Sequence, residues 1–596
     1  MNLTRREIIN RSMGAFLASR SGVDAFDRGI FSTDRQASYE APQEDDFYTR
    51  IVKANDARVP ALIESVNAAS PRRAAVRRVA GDLQALAAAF CAPESSFHKA
   101  GSLVAPMEKA SRFLLEAQHP DGTIDSGNLE SPPDTGFVVE AVCPVLTVLR
   151  KTDSALTQNV KENLGKFILA AGEALVTGGV HTPNHRWVIC SALAQTNALF
   201  PASKYVNRID DWLGEGVYID ADGQYPERSA GIYSRVEDYA FVTMARLLGR
   251  PELLEPARKN LEMTIYYTHP DGEVETVGSR RQDQFMTASI ANYHLEYRYL
   301  AVKDRNRAFA GVVRLIEGSG GEMNRLAGSL IHFLEEPLLR EKLPEASPLP
   351  EDYARVFANT SLARIRRGKV SATIYGGSDW PLGVASGLAS NPTFFNFRKG
   401  KAILESVRMG ASFFSKGFFH SQGLKAQGNQ YQLHERLEVP YYQPLPKGER
   451  NRRGDYPLTP AEDRFWSKLN FPKRRMSEIK TLDQTVNITE KNGVFELEFA
   501  VLGPAGVPVT IELSFRRGGK LEGARQEQSG VYFLEKNIGR YTVGDDSIEF
   551  GPGRAEHQRT SMEGASYSAH RGSLKTDGDC VYITGHTPFR EKITIK

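Results

Sequence analysis

Apolar residues recur at spacings of three and four from about residue 46 to residue 340, a period typical of amphipathic and buried helices. The segments RRVAGDLQALAAAFC, TGFVVEAVCPVLTVLRK and RWVICSALAQTNALF carry this period and are rich in Ala and Leu. Short loops separate them. The pattern predicts a helical domain over residues 46–344.

A turn phrase recurs within this helical part. The phrases HPDGTI, DADGQY and HPDGEV place Asp-Gly pairs at Asp121, Asp222 and Asp271. Asp-Gly suits a tight turn because Gly accepts a positive φ and Asp bonds its own backbone. The first gap is close to twice the second, which indicates a helix-pair unit of about 50 residues repeated around a ring. The alternative is that the spacing is a coincidence, because Asp-Gly is a common turn pair in any protein.

The period changes near residue 345, after the Pro-rich stretch PEASPLPEDY. Segments such as VSATIYGG, VPVTIELSFRR and CVYITGH then alternate, with β-branched and aromatic residues and Gly-containing turns between many of them. They predict an antiparallel β-sandwich over residues 345–596. Residues 440–480 interrupt the alternation with a Pro-rich, basic and aromatic loop, and long loops of this kind are often functional. The fold class is therefore multidomain α and β.

The chain start, residues 1–45, is polar and irregular and predicts a leader and linker. Its segment TRREII resembles a twin-arginine export signal, which would place the protein in the periplasm or outside the cell. A charged start of a cytoplasmic protein is the alternative. No run of about 18 apolar residues is present, so we expect no membrane span.

Charge and cysteine content narrow the function classes. The 596 residues carry a formal net charge of +3, so nothing global favours nucleic acid as a partner. Four cysteines form no CxxC pair, and no HExxH, GxGxxG or Walker pattern occurs. We expect no cofactor, while a structural divalent metal stays open.

Candidate chemistry begins at the segment NHRW, which stands just ahead of an apolar helical run. Asn184, His185 and Arg186 can donate hydrogen bonds to a carboxylate, and Trp187 offers a flat face to a sugar ring. About 40 residues later, DGQYPERSAGIYSRVEDY supplies further polar and aromatic candidates: Tyr225, Glu227, Arg228, Tyr233 and Tyr239. Together the two segments predict chemistry on a uronic acid.

This arrangement resembles the heparinase II/III-like polysaccharide lyases, in which an α/α toroid precedes an antiparallel sandwich. Asn184-His185 resembles their Asn-His pair, and the segment from Asp222 to Tyr233 resembles their DG-x-Y-x-E-G…Y motif, whose last Tyr is catalytic. Here Arg228 stands where a Gly usually follows the Glu, which makes Tyr239 a second choice for the phenol. The family's His-rich strand motif is not recognisable in the sandwich part. Its nearest substitutes are His420 and His434.

The resemblance implies a carbon–oxygen lyase that cleaves an anionic polysaccharide or oligosaccharide by β-elimination and leaves unsaturated uronate ends. Removal of the C5 proton builds charge beside a carboxylate, so hydrogen bonds or cations must neutralise that group. Asn184 and His185 fit this role. Tyr233 would act as base or acid, with His434 or His420 assisting from the sandwich. The paired Arg280 and Arg281 could bind a carboxylate or sulfate.

Other interpretations stay open. Asn184 could cap the helix that follows it, and Trp187 or Tyr233 could belong to the core. A glycoside hydrolase would pair Glu227 with Asp222, Glu237 or Asp238. A non-catalytic glycan-binding protein would use the sandwich for recognition. The glycan and the oligomeric state are not determined by the sequence.

Overall fold

The structure, a computed structural model, describes residues 47–69, 75–377, 391–461, 465–561 and 578–596. The predicted leader, residues 1–45, lies outside this part of the chain. The described residues form two units. Unit 1 holds residues up to Glu227 together with Ile232–Ile265 and Ser289–Leu349, and unit 2 holds Arg228–Gly231, Tyr266–Ala288 and Pro350–Lys596.

The division of the chain is more complex than the predicted single cut between residues 344 and 345. The main boundary falls at Leu349, and the loop Tyr266–Ala288 belongs to unit 2 although it lies within the helical part of the sequence. Its residues bond to the strands of unit 2: the Arg364 guanidinium donates to the carbonyl of Tyr266 at 3.1 Å. The helical period of the sequence could not reveal that this loop belongs to unit 2, because a period reports local structure alone.

Unit 1 is helical. Its helices have the following bounds: α1 Phe47–Ala68, α2 Val76–Cys91, α3 Val104–Ala117, α4 Pro132–Thr152, α5 Gln158–Thr177, α6 Pro183–Leu199, α7 Ser203–Gly214, α8 Tyr233–Leu248, α9 Leu254–Tyr267, α10 His294–Lys303, α11 Arg307–Gly318, α12 Met323–Leu326 and α13 Leu330–Glu335. Local signals start several of them. Ser131 accepts a hydrogen bond from the Asp134 amide at the start of α4, and Pro183 is the first residue of α6.

The helices of unit 1 form two layers, as in an incomplete α/α toroid. Helices α2, α4, α6, α8 and α10 contact one another in succession, and other helices alternate with them along the chain. The inner helices are parallel: Gly136 near the start of α4 faces Val188 near the start of α6, and Cys143 further along α4 reaches Thr196 further along α6. The predicted helical ring is confirmed.

The three Asp-Gly phrases are turns of the same geometry. In the first, the Gly122 amide donates to the carbonyl of His119, and the His119 amide donates to the carbonyl of Thr123. The other two turns repeat both bonds. Gly122, Gly223 and Gly272 have φ values of 90°, 91° and 84°, a region that strains other residues.

Unit 2 consists of strands. Their bounds are β1 Asp352–Phe357, β2 Leu362–Arg367, β3 Val370–Tyr375, β4 Phe395–Lys399, β5 Ala402–Ala411, β6 Leu424–Gln427, β7 Gln430–Tyr442, β8 Thr459–Ala461, β9 Phe465–Ser467, β10 Met476–Lys491, β11 Val494–Leu502, β12 Pro508–Phe515, β13 Lys520–Glu522, β14 Arg525–Gln528, β15 Val531–Phe533, β16 Gly539–Val543, β17 Asp546–Gly551, β18 Cys580–His586 and β19 Phe589–Ile595.

These strands build two large sheets. A nine-stranded sheet has the order β1-β2-β3-β4-β5-β12-β18-β15-β14, and an eight-stranded sheet has the order β13-β16-β17-β19-β11-β10-β7-β6. Neighbouring strands in these sheets run antiparallel, except that β15 runs parallel to β18. Aromatic residues of both sheets meet in one core, where the Phe397 and Phe495 rings lie 5.8 Å apart. The predicted sandwich is confirmed, and the insertion after β7 carries the β8–β9 hairpin.

By length and composition, α4 is the one helix in the described ranges that could cross a membrane. The sequence predicted none. Most of this helix, 78% of its apolar window, is buried inside the protein, and it contacts α2 and α6. A core position accounts for its apolar character.

We predict that Gly122→Ala destabilises the protein more than Gly249→Ala. Both glycines have a positive φ, so each substitution carries a backbone cost of about 1–2 kcal/mol. A Cβ at Gly122 would lie 2.1 Å from the Ala170 carbonyl oxygen, whereas a Cβ at Gly249 would meet nothing within 4 Å. Urea unfolding of the two variants measures the difference. Equal free energies of unfolding would contradict the proposed contact.

Candidate active site

The N-terminal ends of the inner helices lie together at one end of unit 1, because these helices are parallel. The loop Glu215–Ile232 enters α8 there, and Pro183 begins α6. Helix N-termini expose unpaired amides and carry a partial positive charge, which suits an anionic group. We call this end the rim of unit 1.

A buried contact joins the two sequence segments that carry the candidate residues. Glu227 Oε2 accepts from the backbone amide of Asn184 at 3.2 Å and from its side-chain Nδ2 at 2.5 Å. Asn184 Nδ2 also donates to Thr182 Oγ1 at 3.2 Å. A carboxylate at the second residue of α6 is stabilised by the helix dipole. The contact therefore attaches the loop before α8 to the start of α6.

Asn184 does not have the geometry predicted for it. Its side chain is fully buried, and its amide hydrogens point to Glu227 and Thr182. Donation to a substrate carboxylate would require it to leave these partners. Among the described residues its Oδ1 has no hydrogen-bond partner. The side chain of Asn184 therefore connects the start of α6 to the loop before α8.

His185 lies one layer beneath the surface at the rim. Its exposed fraction is 9%, and its ring meets the exposed His181 ring edge-on at 4.7 Å. The Phe137 ring lies 6.4 Å away on the other helix, α4, and the Arg77 guanidinium lies 4.2 Å above that phenyl ring. The imidazole is therefore surrounded by aromatic rings, and the Arg77 cation above Phe137 is paired with Asp134.

Two aromatic candidates are core residues, which corrects their predicted contact with sugar. Trp187 is 2% exposed and its ring lies 5.0 Å from that of Phe241. Tyr225 is 1% exposed, stacks on Phe241 at 6.1 Å, and donates to Asp238 Oδ1 at 2.8 Å. Burial of both rings between α6 and α8 explains why they cannot offer a face to a ligand. Arg186 lies over the Trp187 ring and pairs with Glu215 at 3.0 Å.

The two tyrosine candidates differ in depth. Tyr233 is half-buried and is the first residue of α8, at the rim. Tyr239 lies six residues further, about 9 Å along the axis, and its ring meets that of His332 at 5.7 Å. Burial, with the nearby Glu140 and Glu335 carboxylates, raises the pKa of Tyr239 well above its usual range. Tyr239 is therefore held neutral, and Tyr233 is the better candidate.

A group of buried carboxyl groups lies on the inner helices near the rim. Burial raises the pKa of Glu140 to about 8 and that of Glu296 to about 7, and the Arg235 guanidinium opposes both shifts. The pKa values of Glu237 and Asp238 are raised well above their usual range, first by burial and then by neighbouring carboxylates. Such groups keep a proton at neutral pH.

Sequence reasoning missed Glu140 and Glu296 as candidates. The available signal was a single carboxyl inside an apolar helical run, as in VVEAVCPVL. A Glu in that position is either at a helix surface or buried, and the difference depends on the partner helices.

The remaining candidates belong to unit 2. Arg228 has a φ of 50° and donates to the carbonyl of Asn359 at 2.8 Å. His434, on β7, has its Nε2 3.2 Å from Asp483. Burial lowers the pKa of His420 to about 4, which keeps that imidazole neutral. Arg280 and Arg281 are half-buried in the loop Tyr266–Ala288. Their contact with substrate stays a prediction.

One further carboxyl group in unit 2 was missed. Glu435 on β7 is 5% exposed and accepts from Gln484 Nε2 at 2.9 Å and from the His420 amide at 3.2 Å. Burial raises its pKa to about 8. It accepts from the backbone of one candidate histidine and directly follows the other in the chain, at a position that strand alternation marks as inward-facing.

Comparison with known proteins gives the fold. No protein-family model matches the chain, and no curated protein matches it. A heparinase III structure matches at 12% identity with a TM-score of 0.55, over 99% of this chain and 90% of that one. The Streptomyces coelicolor A3 chondroitin AC lyase, solved in complex with chondroitin sulphate, matches at 12% identity with a TM-score of 0.54, over 94% and 80%. The chain has the fold of these lyases.

A third lyase structure has the same fold. The xanthan lyase from Paenibacillus matches at 10% identity with a TM-score of 0.53, over 93% of this chain and 60% of that one. The polysaccharide-lyase fold, a helical toroid and an antiparallel sandwich, is therefore shared across three structures of very different sequence. The architecture expected from the sequence is confirmed.

We predict that Glu227→Ala lowers the free energy of unfolding by about 2 kcal/mol, because a buried charge-assisted pair of hydrogen bonds is lost. The control is Glu215→Ala, which removes the half-exposed partner of Arg186 and should cost less than about 1 kcal/mol. Chemical denaturation of both variants provides the comparison. Equal losses would mean that the contact between Glu227 and Asn184 does not hold the loop.

We also predict that Glu140 makes stability depend on pH. Its pKa in the folded protein is about 8, above the ordinary value of 4.5, so the folded state binds the proton more tightly. The stabilising contribution is complete below the ordinary value and is lost as the pH rises through about 8. As the pH rises from 4.5 to about 8, the free energy of unfolding of the wild type should therefore fall relative to that of Glu140→Gln. A constant difference between the two, measured by denaturation across that range, would contradict the burial of this carboxyl group.

Proposed function

We propose that the protein is a polysaccharide lyase that cleaves a uronic-acid-containing glycan by β-elimination. One observation carries the proposal: solved structures that match more than nine-tenths of the chain are named as lyases of glycans. The fold alone does not define a reaction, and the rim of unit 1 supplies the local support. Elimination would leave a double bond between C4 and C5 of the product.

The chemistry needs positive potential where the substrate charge develops. A uronate carboxylate becomes more negative as C5 loses its proton, so fixed dipoles aimed at it lower the barrier. The N-termini of α6 and α8 offer such dipoles. His185 is the side chain we assign to hold the carboxylate, with Arg77 near the same aromatic group.

Proton transfer is assigned to Tyr233. It stands at the first position of α8, and the contact between Glu227 and Asn184 holds the loop that leads to it. A phenol at that place can take the C5 proton, and the same group or a second one can protonate the leaving O4 oxygen. His434 and His420 remain proposals for the second group. Asn184 acts in this scheme by positioning the loop.

We predict that Tyr233→Phe lowers the rate of elimination by about 10²–10⁴-fold, the range for a lost acid–base group. His185→Ala should lower it by about 10²–10³-fold, the range for a lost hydrogen bond to a developing charge. The assay incubates the protein with a panel of uronic polysaccharides and follows the far-ultraviolet absorbance of the new double bond. Tyr205→Phe is the matched control. Tyr205 is equally aromatic and 1% exposed, but it begins the next helix, α7, beyond the C-terminal end of α6.

Two outcomes would overturn the assignment. Saturated products alone would exclude elimination. Full activity in Tyr233→Phe would remove the phenol from the mechanism, even if unsaturated products form.

A glycoside hydrolase on the same helical unit is the second candidate. A buried carboxyl group favours it, because Glu140, with a pKa of about 8, stays protonated at neutral pH as a general acid must. Hydrolysis gives saturated products and does not need Tyr233, so the same assay separates the two reactions. Export through the twin-arginine-like start stays a proposal for the localisation.

A further inference from the structure

The nine-stranded sheet of unit 2 has a buried face that is polar. Along β4, Phe395 and Phe397 belong to the hydrophobic core of the sandwich, whereas Asn396 and Arg398 point the other way. Both of these polar residues are 8% exposed. Ser406, on the adjacent strand β5, is 2% exposed. Burying a polar group costs free energy unless a partner compensates it, so this face needs an explanation.

A cavity of about 420 Å³ lies within unit 2 against this face. Strands β4 and β5 and the loop Tyr266–Ala288 line it, and its volume is within the usual range for small-molecule sites. The lining is rich in guanidinium, amide and hydroxyl groups. The lining residues of the cavity all belong to unit 2.

Three buried polar atoms in the cavity lining make no hydrogen bond to any residue that the structure describes. They are Asn396 Oδ1, Gln284 Oε1 and Ser406 Oγ. Gln284 is 4% exposed, so all three residues are more than nine-tenths buried. Unpaired buried groups of this kind are uncommon in native proteins and mark places where a ligand or ordered water belongs.

The orientation of the two amides is determined by their other contacts. Asn396 Nδ2 donates to Glu275 Oε2 at 2.7 Å, and Gln284 Nε2 donates to the Arg281 carbonyl at 3.2 Å. Rotating either amide would place an oxygen against an acceptor. The groups that remain unpaired are therefore two acceptor oxygens, next to a hydroxyl that can donate or accept.

Several of the charges around the cavity form ion pairs. Glu273 binds Arg398 at 2.6 Å and Arg516 at 2.8 Å. Arg398 also reaches Asp271 at 3.0 Å, and Arg516 reaches Glu405 at 2.7 Å. Two free acceptor oxygens would repel a carboxylate or sulfate, and they would accept from hydroxyl groups. The chemistry fits a neutral ligand with several hydroxyl groups.

We propose that this cavity is a second glycan site, which takes a neutral sugar unit. Hydroxyl groups of the sugar donate to Gln284 Oε1 and Asn396 Oδ1, and Ser406 Oγ completes the set. The guanidinium groups of the lining donate to sugar oxygen atoms. The site binds and does not react, so it is independent of the elimination chemistry at the rim.

The test is ligand-observed NMR and calorimetric titration of the full chain with neutral hexoses and N-acetylhexosamines, with glucuronate and acetate as the acidic comparisons. At least one neutral sugar should bind, and acetate should not. Ser406→Ala and Gln284→Met should each weaken that binding about three- to tenfold, as the loss of one hydrogen bond implies. Ser406→Ala should not lower the melting temperature, because it removes a hydroxyl that makes no hydrogen bond to the described residues.

Ser514→Ala is the matched control. Ser514 lies directly opposite Ser406 on β12, and its hydroxyl contacts Glu512 at 3.4 Å and Cys580 at 3.3 Å. It should lower the melting temperature and leave sugar binding unchanged. His185→Ala should also leave it unchanged, since that residue belongs to the rim.

Failure of every neutral sugar to bind would overturn the proposal, and the unpaired atoms would then be satisfied by water alone. Binding that Ser406→Ala and Gln284→Met leave unchanged would overturn it as well. A protein that binds the sugar through Ser406 but forms no unsaturated product would keep this site and lose the proposed lyase function.

Discussion

The contact between Glu227 and Asn184 connects the helical architecture of unit 1 to its candidate chemistry. It places a carboxylate at the N-terminus of α6 and holds the loop that leads into α8. Tyr233 begins that helix six residues after Glu227, so its position depends on where the loop is held. Without a buried acceptor, the amide at the start of α6 would be unsatisfied and the loop would have no anchor there. The same bond explains why the side chain of Asn184 faces the protein interior.

Parallel inner helices have a further consequence for electrostatics. They bring Glu140, the adjacent pair Glu237 and Asp238, and Glu296 from three separate helices into one buried region. Water is excluded there, and the carboxyl groups keep their protons because ionisation would be costly. The region thus combines neutral acids below the rim with helix N-termini at the rim.

Unit 2 differs from unit 1, because a buried carboxyl group beside its polar sheet face is held ionised. Glu275 there pairs with His269 and Arg364 and accepts from the Thr373 hydroxyl, and these contacts hold its pKa well below the usual range against the effect of burial. A buried ion pair of this kind contributes little net stability, but removal of one of its partners is strongly destabilising. The cost of mispairing favours a single arrangement of the loop Tyr266–Ala288 on the strands. That order is what keeps the acceptor atoms of the cavity in place.

The sequence by itself determined the features that depend on neighbours along the chain. The helical period over residues 46–344, the strand alternation after residue 345 and the three Asp-Gly turns were all predictable, because they express local periodicity and the backbone freedom of Gly. The placement of NHRW at a helix start followed from the same reasoning, with Pro183 as the first helical residue.

The tertiary structure alone decided which side of each element faces a partner. Trp187 and Tyr225 are of residue types that can contact a sugar ring, but both are enclosed between α6 and α8. The exchange of the loop Tyr266–Ala288 into unit 2 was equally hidden. Burial and pairing between distant segments depend on the packing of whole helices and sheets, whose long-range contacts leave no periodic signal in the chain.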